Sequence, residues 1–226
     1  MKLYYFPTDN SLKVLAVAYQ LGIDLELERV NLIRGEQLSP EYLALNPNHM
    51  APTLVDGEFV LWESNAIMQY LSDTRTGVGT LWPADPQVRA DVSRWQCWQL
   101  AHWGPPCGTL VFERIIKSMA SLGEPDAAEV AKAEESFHTY AKVLNRHLKG
   151  RTWLVGDELT LADFSVGAPL TFTEPAQLPV QPYPEIQRWY EGLKALDSWR
   201  QALAHADANA PDSEGDAGAG LDSSDS

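Results

Sequence analysis

The stretch Asn46–Asn65, NPNHMAPTLVDGEFVLWESN, constrains the fold of this chain more than any other, because it sets a turn, two short apolar strands and a helix start in immediate succession. Asn46-Pro47-Asn48 is turn chemistry: Asn tolerates left-handed dihedrals and Pro fixes φ. Ala51-Pro52 then enters Thr53-Leu54-Val55. A proline at that point cannot donate to a sheet ladder, so the residue ahead of it stays extended with free backbone groups. A cis bond at Pro52 would turn the chain sharply and expose Ala51. Asp56-Gly57 predicts a hairpin turn into Phe59-Val60-Leu61-Trp62. That strand must end by Glu63, because Ser64 predicts an N-cap ahead of the apolar pattern Ile67, Tyr70, Leu71. The N–H groups after Ser64 would then point outward, suited to a carboxylate.

Taken singly, these elements make a hairpin followed by a capped helix. Taken in order, the string P-T-L-V-D-G-x-F-x-L-x-E-S-x-A-I from Pro52 to Ile67 resembles the glutathione-binding core of the glutathione S-transferase family.

The chain has 226 residues, enough for one large or two small domains with a substantial core. No run of 18 apolar residues occurs, and Met1-Lys2 leads straight into a strand pattern, so a soluble, cytoplasmic protein without a membrane partner is expected. Two cysteines, Cys97 and Cys107, are too few for a disulfide framework. A formal net charge of −14 argues against nucleic acid, whose phosphates call for clustered Lys and Arg. Part of that charge lies in Asp207–Ser226, with six acidic and no basic residues, which reads as a disordered acidic tail.

Lys2 to Phe6 reads as a buried first strand. Thr8-Asp9-Asn10-Ser11 follows as a polar loop, then a helix carrying Leu12, Leu15, Val17, Ala18 and Leu21 that stops at Gly22. Leu25 to Val30 alternates as a second strand, and Pro40 to Leu45 reads as a short helix. The order βαβα then ββα, ending near Arg75, matches a thioredoxin-like domain over residues 1–75, as the resemblance also implies.

Chemistry is expected at the Thr8 loop. Lowering a thiol pKa from about 8.5 by two units needs roughly 2.7 kcal/mol of preferential thiolate stabilisation. A hydroxyl donor contributes about 1.5–3 kcal/mol and a helix N-terminus roughly 0.3–1 more, so the two together suffice. Counted back from Val14, Thr8 falls where theta- and delta-like members of the family carry a catalytic serine. Thr-x-Asn-x-x-Lys (Thr8, Asn10, Lys13) is similar to the loop of bacterial nu-like members. We favour Thr8, then Asn10, then Ser11; the alternative for each is a cap on the first helix.

The resemblance implies the rest of the glutathione site. Glu63 would take the γ-glutamyl ammonium, and Ser64 with its N–H the adjacent carboxylate. Ala51, before Pro52, would pair its backbone with the cysteinyl unit. His49 matches a delta-like histidine that reaches the glycine carboxylate, though many relatives carry Gly-Lys across His49-Met50; its alternative is a solvated loop side chain. Asn65 would add a polar contact.

Residues 76–87 read as a connection, and residues 88–206 as an all-helical second domain. Val92, Trp95, Trp98, Leu100 and Trp103 make an apolar stripe, and Gly104-Pro105-Pro106 is expected to break or kink that helix, with helical spacing resuming from Thr109 to Met119. The string W-x-x-W-Q…G-P-x-x-G (Trp95, Trp98, Gln99, Gly104, Pro105, Gly108) again resembles the nu-like branch, whose kinked helix lines the second-substrate cleft. His102, Trp103, Cys107 and Phe112 are therefore candidates for that wall, with core packing as the alternative. Ala127 to Leu148 reads as an amphipathic helix with Ala131, Glu134, Phe137, Tyr140, Ala141 and Leu144 in register. The string L-T-x-A-D-F, with Thr160 and Asp163 at capping-box spacing, is read as structural.

The five histidines, His49, His102, His138, His147 and His205, show no metal-ligand spacing, and no phosphate-binding glycine loop or G-x-S-x-G elbow occurs. The leading reading is a glutathione-dependent transferase attacking a small apolar electrophile, with glutathione as co-substrate and no metal. Glutathione-dependent disulfide reduction and a non-catalytic binding module are the rivals. The resemblance further implies a homodimer and a detoxification role.

Overall fold

In the computed structural model, which describes residues 1–74 and 81–208, the chain opens with β1 (Lys2–Tyr5), whose alternation puts Leu3 and Tyr5 into the core. The next element, α1 (Asp9–Gln20), starts earlier than expected: Asp9, Asn10 and Ser11 form its first turn instead of a loop. The cause is local. Thr8, in extended backbone, accepts the Ser11 N–H at 3.4 Å, and Asp9 sets a carboxylate at the positive end of the helix. Gly22, with φ of 62°, ends that helix before β2 (Glu26–Arg29). A 3-10 turn at Glu36–Leu38 leads to α2 (Pro40–Leu45), capped by Ser39 with Pro40 in its first turn.

The stretch that opened the sequence reading forms β3 (Thr53–Asp56), β4 (Phe59–Trp62) and α3 (Ser64–Asp73). The hairpin loop is Gly57-Glu58, one residue later than predicted: Asp56 still pairs with Phe59, and Gly57 takes the φ of 60° that such a short loop requires. The Ala51–Pro52 peptide is cis. Glu63, not Ser64, occupies the cap position of α3, and Ser64 is its first helical residue. The sheet order is β2-β1-β3-β4, with β1 parallel to β2 and antiparallel to β3. Helices α1 and α3 pack together against this sheet in a thioredoxin-like arrangement.

The remainder is helical: α4 (Pro86–Trp98), α5 (Gly104–Val111), α6 (Lys117–Met119), α7 (Ala127–His147), α8 (Leu161–Gly167), α9 (Pro184–Lys194) and α10 (Asp197–Ala208). Of the break or kink expected at Gly104-Pro105-Pro106, no break occurs: a π turn at Gln99–Trp103 precedes the prolines, and the path stays helical through α5, a second π turn at Phe112–Ile116, and α6. A proline lacks an N–H and crowds the carbonyl one turn back, and a wider turn relieves both problems without ending the helix. Gly104 donates its N–H to the Gln99 carbonyl, and a Cβ there would lie 2.9 Å from that oxygen. The widened turn also changes the register of the stripe. Val92, Trp95 and Trp103 are buried, while Leu100 turns out to solvent. On α7 the buried stripe is Ala133, Phe137, Ala141 and Leu144; Ala131 is exposed.

Helix α10 lies along α1, fastened by Ser198 Oγ donating to Gln20 Oε1 at 2.6 Å and by a 2.9 Å bond between His205 Nε2 and the Tyr5 hydroxyl. Asp207, expected to begin the tail, is still helical; the rest of that tail lies outside the described residues, as do residues 75–80 of the expected connection. Thr160 and Asp163 form a capping box at α8. Asp163 is buried and also accepts the Leu154 N–H and the Trp189 indole N–H, both at 2.9 Å, so one carboxylate joins a loop, α8 and α9. Replacing it by alanine strands those buried donors. Asp163→Ala should lower unfolding free energy by about 3–5 kcal/mol, read as a shift in the urea midpoint at unchanged slope.

Candidate functional site

Three segments converge at one end of the sheet: the start of α1, the loop from Asn46 to Pro52, and the start of α3. The starts of the two helices are joined directly, because Ser64 Oγ donates to Asn10 Oδ1 at 3.0 Å. Among the described residues no side chain caps α3. The first N–H groups of a helix have no partner within it, so this end is suited to an anion. Glu63, exposed beside it, has φ of 73°. Of the four non-glycine residues at positive φ among the described residues, two, His49 and Glu63, stand at this site; such backbone persists where surroundings impose it.

The loop before Pro52 is held from below. The Met50 carbonyl accepts the Tyr42 hydroxyl at 2.6 Å and Asn46 Nδ2 at 2.9 Å, and both side chains also reach Thr53 Oγ1 at 3.0 Å. Asn46 Oδ1 in turn accepts the Asn48 N–H. The sequence reading treated Asn46 as a turn residue and Tyr42 as a helical position. Together they fix the backbone on which Ala51 is carried, while His49 and the Met50 side chain remain exposed.

In the first turn of α1, Thr8 and Asn10 are half-buried, whereas Ser11 is fully buried and its Oγ accepts the Phe6 N–H at 3.4 Å and the Thr8 hydroxyl at 3.5 Å. Ser11 therefore supports the loop from inside and leaves Thr8 and Asn10 as the residues with accessible surface. Asn65 points away from Ser64 into the interior, where its Oδ1 accepts Ser165 Oγ at 2.8 Å.

The four residues expected along the second-substrate wall separate. Trp103 has no exposed surface, donates its indole N–H to the Val166 carbonyl at 3.0 Å, and packs on Phe137; it is core. His102 turns toward Tyr140 of α7, with ring centroids 5.1 Å apart. Cys107 is buried near Asp9, and burial, reinforced by that carboxylate, pushes its thiol well above the ordinary range. Phe112 is exposed, with the Lys117 ammonium over its ring.

One charged residue escaped the sequence reading as a participant. Lys13 is 0 % exposed, and its Nζ has no hydrogen-bond partner among the described residues. Burial lowers its pKa to about 8, opposed by the carboxylates of Asp9 and Glu63. Burial likewise raises the Asp9 carboxyl, opposed first by Lys13. The signal was present: Leu12, Val14, Leu15, Ala16, Val17 and Ala18 make this helix apolar on every side, which marks it as enclosed, so a lysine within it must be buried.

Residues 1–73 match the family described as Glutathione S-transferase, N-terminal domain, and residues 104–197 match Glutathione S-transferase, C-terminal domain. The chain is 34% identical over 209 residues to glutathione S-transferase 3 of Zea mays, covering 90% of this chain and 93% of that protein. The solved structure of glutathione S-transferase III in its apo form has a TM-score of 0.80 at 34% identity, covering 90% of this chain and 95% of that one. A glutathione transferase from Pseudomonas putida, solved with one glutathione disulfide per subunit, has a TM-score of 0.80 at 27% identity, covering 89% and 90% of the two chains. The chain belongs to the glutathione S-transferase family, as the string from Pro52 to Ile67 implied, and is an enzyme of that class. Membership at this level does not divide theta-, delta- and nu-like branches; the relatives named above with a source come from a plant and a pseudomonad. Among the described residues no group of three or more His, Cys, Asp or Glu is placed to hold a metal ion, and no helix is long and apolar enough to cross a membrane.

The depressed Lys13 pKa has a thermodynamic consequence. Between about 8 and 10.5 the unfolded chain holds a proton that the folded chain lacks, so unfolding free energy gains up to about 1.4 kcal/mol per pH unit from this group as pH rises. Tyrosines act in the opposite sense at the upper end of that window. The difference between wild-type and Lys13→Met stability, measured by denaturation at several pH values, cancels them and should grow with pH across the interval.

Proposed function

We propose that this protein binds glutathione across the three converging segments and delivers its thiolate to a small hydrophobic electrophile. The observation that carries the reading is the Ser64–Asn10 hydrogen bond, which sets the uncapped start of α3 beside the start of α1. In this reading the N–H groups of α3 receive the γ-glutamyl carboxylate, the Ser64 hydroxyl turns from Asn10 to donate to it as it binds, and Glu63 receives the ammonium. Ala51 pairs its backbone with the cysteinyl unit on the loop closed by Pro52 and anchored through the Met50 carbonyl, and His49 reaches the glycine carboxylate. Thr8 donates its hydroxyl to the thiolate, with the amide of Asn10 beside it. Ser11 and Asn65 support the loop and α3 from within.

Phe112 forms part of the wall for the electrophile, backed from the core by Trp103 and Cys107. Holding the two reactants in one geometry and stabilising the thiolate account for the rate. A homodimer in the cytoplasm is part of the proposal. It is supported by large apolar side chains left exposed on the first 74 residues, Phe59 and Trp62 among them, and by a slot lined in part by Trp95, Trp98 and Val143.

A second reading, glutathione-dependent disulfide reduction, is favoured by the Thr8-x-Asn10 loop and by the Pseudomonas putida relative, solved with glutathione disulfide. Calorimetric titration with glutathione, then separate assays with an aryl halide and a small disulfide, decides between them. Binding with conjugation is the expected result, turnover of the disulfide alone promotes the second reading, and no binding at millimolar glutathione overturns both. Thr8→Ala should raise the pKa of bound glutathione by about one to two units, the worth of one charge-assisted hydrogen bond, followed by thiolate absorbance against pH. An unchanged value would transfer the donor role to Asn10.

A further inference from the structure

Lys13 belongs to none of the contacts assigned above, yet it is the most heavily buried cation near them. Its Nζ is enclosed without a hydrogen-bond partner among the described residues, an arrangement that an apolar side chain of similar length would relieve. On a helix, long side chains lean toward the N-terminus, so Lys13 runs back one turn toward Asp9, at i and i+4. Asp9 follows Thr8 directly in the chain, so its charge stands within one residue of the donor proposed for the sulfur. Left alone, a half-buried carboxylate there would oppose a thiolate, because like charges disfavour each other's ionisation. Glu63, at the start of α3, is the second carboxylate that acts on Lys13.

We propose that Lys13 is a positioning residue for the reaction: its enclosed ammonium, one helical turn from Asp9 and acted on also by Glu63, offsets the charge of Asp9 at the sulfur and biases Glu63 toward the amino group of glutathione. The inference rests on the glutathione reading. Two carboxylates and one cation leave a single net negative charge, which the glutathione ammonium then meets at Glu63. The thiolate faces a neutralised Asp9. Among the described residues, Asp9 from α1 and Glu63 from the start of α3 are the charged groups that act on Lys13, and the Cys107 thiol of α5 responds in turn to Asp9.

The test uses the full chain loaded with glutathione and follows thiolate absorbance against pH, with kcat and KM for glutathione measured on the same samples. Lys13→Met should raise the apparent thiol pKa by about one unit and lower kcat/KM near pH 6.5 by roughly tenfold, with part of the loss in KM as Glu63 loses its partner. Adding Asp9→Asn to Lys13→Met should bring the thiol pKa back toward wild type, which a role in packing alone would not do. Asp9→Asn by itself, which keeps Lys13 in place, should lower the thiol pKa and serves where Lys13→Met folds poorly. A wild-type thiol pKa and KM in Lys13→Met, or an unmoved thiol pKa in Asp9→Asn, overturns the proposal. Wild-type protein that fails to bind glutathione overturns the underlying reading instead, so the two failures are distinguishable.

Discussion

The hydrogen bond from Ser64 to Asn10 spans 54 positions of sequence and brings two helix starts to one place. Both ends carry partial positive charge from their aligned peptide groups, and such ends repel unless something negative stands near. The chain answers with Asp9 in one first turn and Glu63, exposed, ahead of the other, and then has to compensate the poorly solvated carboxylate of Asp9. Lys13 supplies that compensation from within the helix. Helix starts, carboxylates and buried ammonium form one electrostatic unit, beside which the Asn46–Pro52 loop is held separately through Tyr42, Asn46 and Thr53.

A second set of polar groups ties the helical part to this unit. Ser165 of α8 donates to Asn65 of α3 and, at 3.5 Å, to Gln99 in the π turn, while Gln69 donates to Gln96 at 2.6 Å. Buried amides make good registration marks because a shift of one residue would leave several of them unpaired at once. Gln99 is also the residue that Gly104 approaches closely, so the two prolines after it are accommodated by the same turn that carries this contact.

The hairpin, the α8 capping box and the order of elements along the first 73 residues followed from local chemistry, because turn residues, caps and alternation act over a few positions. The misses have a common cause in groups distant along the chain. Ser64 is not the cap because the helix already begins at it, behind Glu63, and its hydroxyl reaches Asn10, 54 residues away. Thr8 ranks ahead of Ser11 in the sequence, but that Ser11 turns inward, onto the Phe6 N–H, is visible only in the fold. Trp103 and His102 are neighbours on one helix, but a π turn sends the first into the core and the second against Tyr140. Three-and-four-residue spacing cannot anticipate that, because the period itself changes at Gln99.

Helix α1 is enclosed on all sides, and α10 supplies one of its walls. The residues Asp9–Gln20 leave a ribosome early, whereas Asp197–Ala208 leave it last among the described elements. During synthesis, then, a helix buried from Ser11 to Ala18 in the finished fold spends most of the chain's production time without its cover. The N-terminal unit cannot finish its core by itself, and its maturation is timed by the far end of the chain, which makes the stretch from Leu12 to Ala18 the segment most in need of shielding while the chain is incomplete.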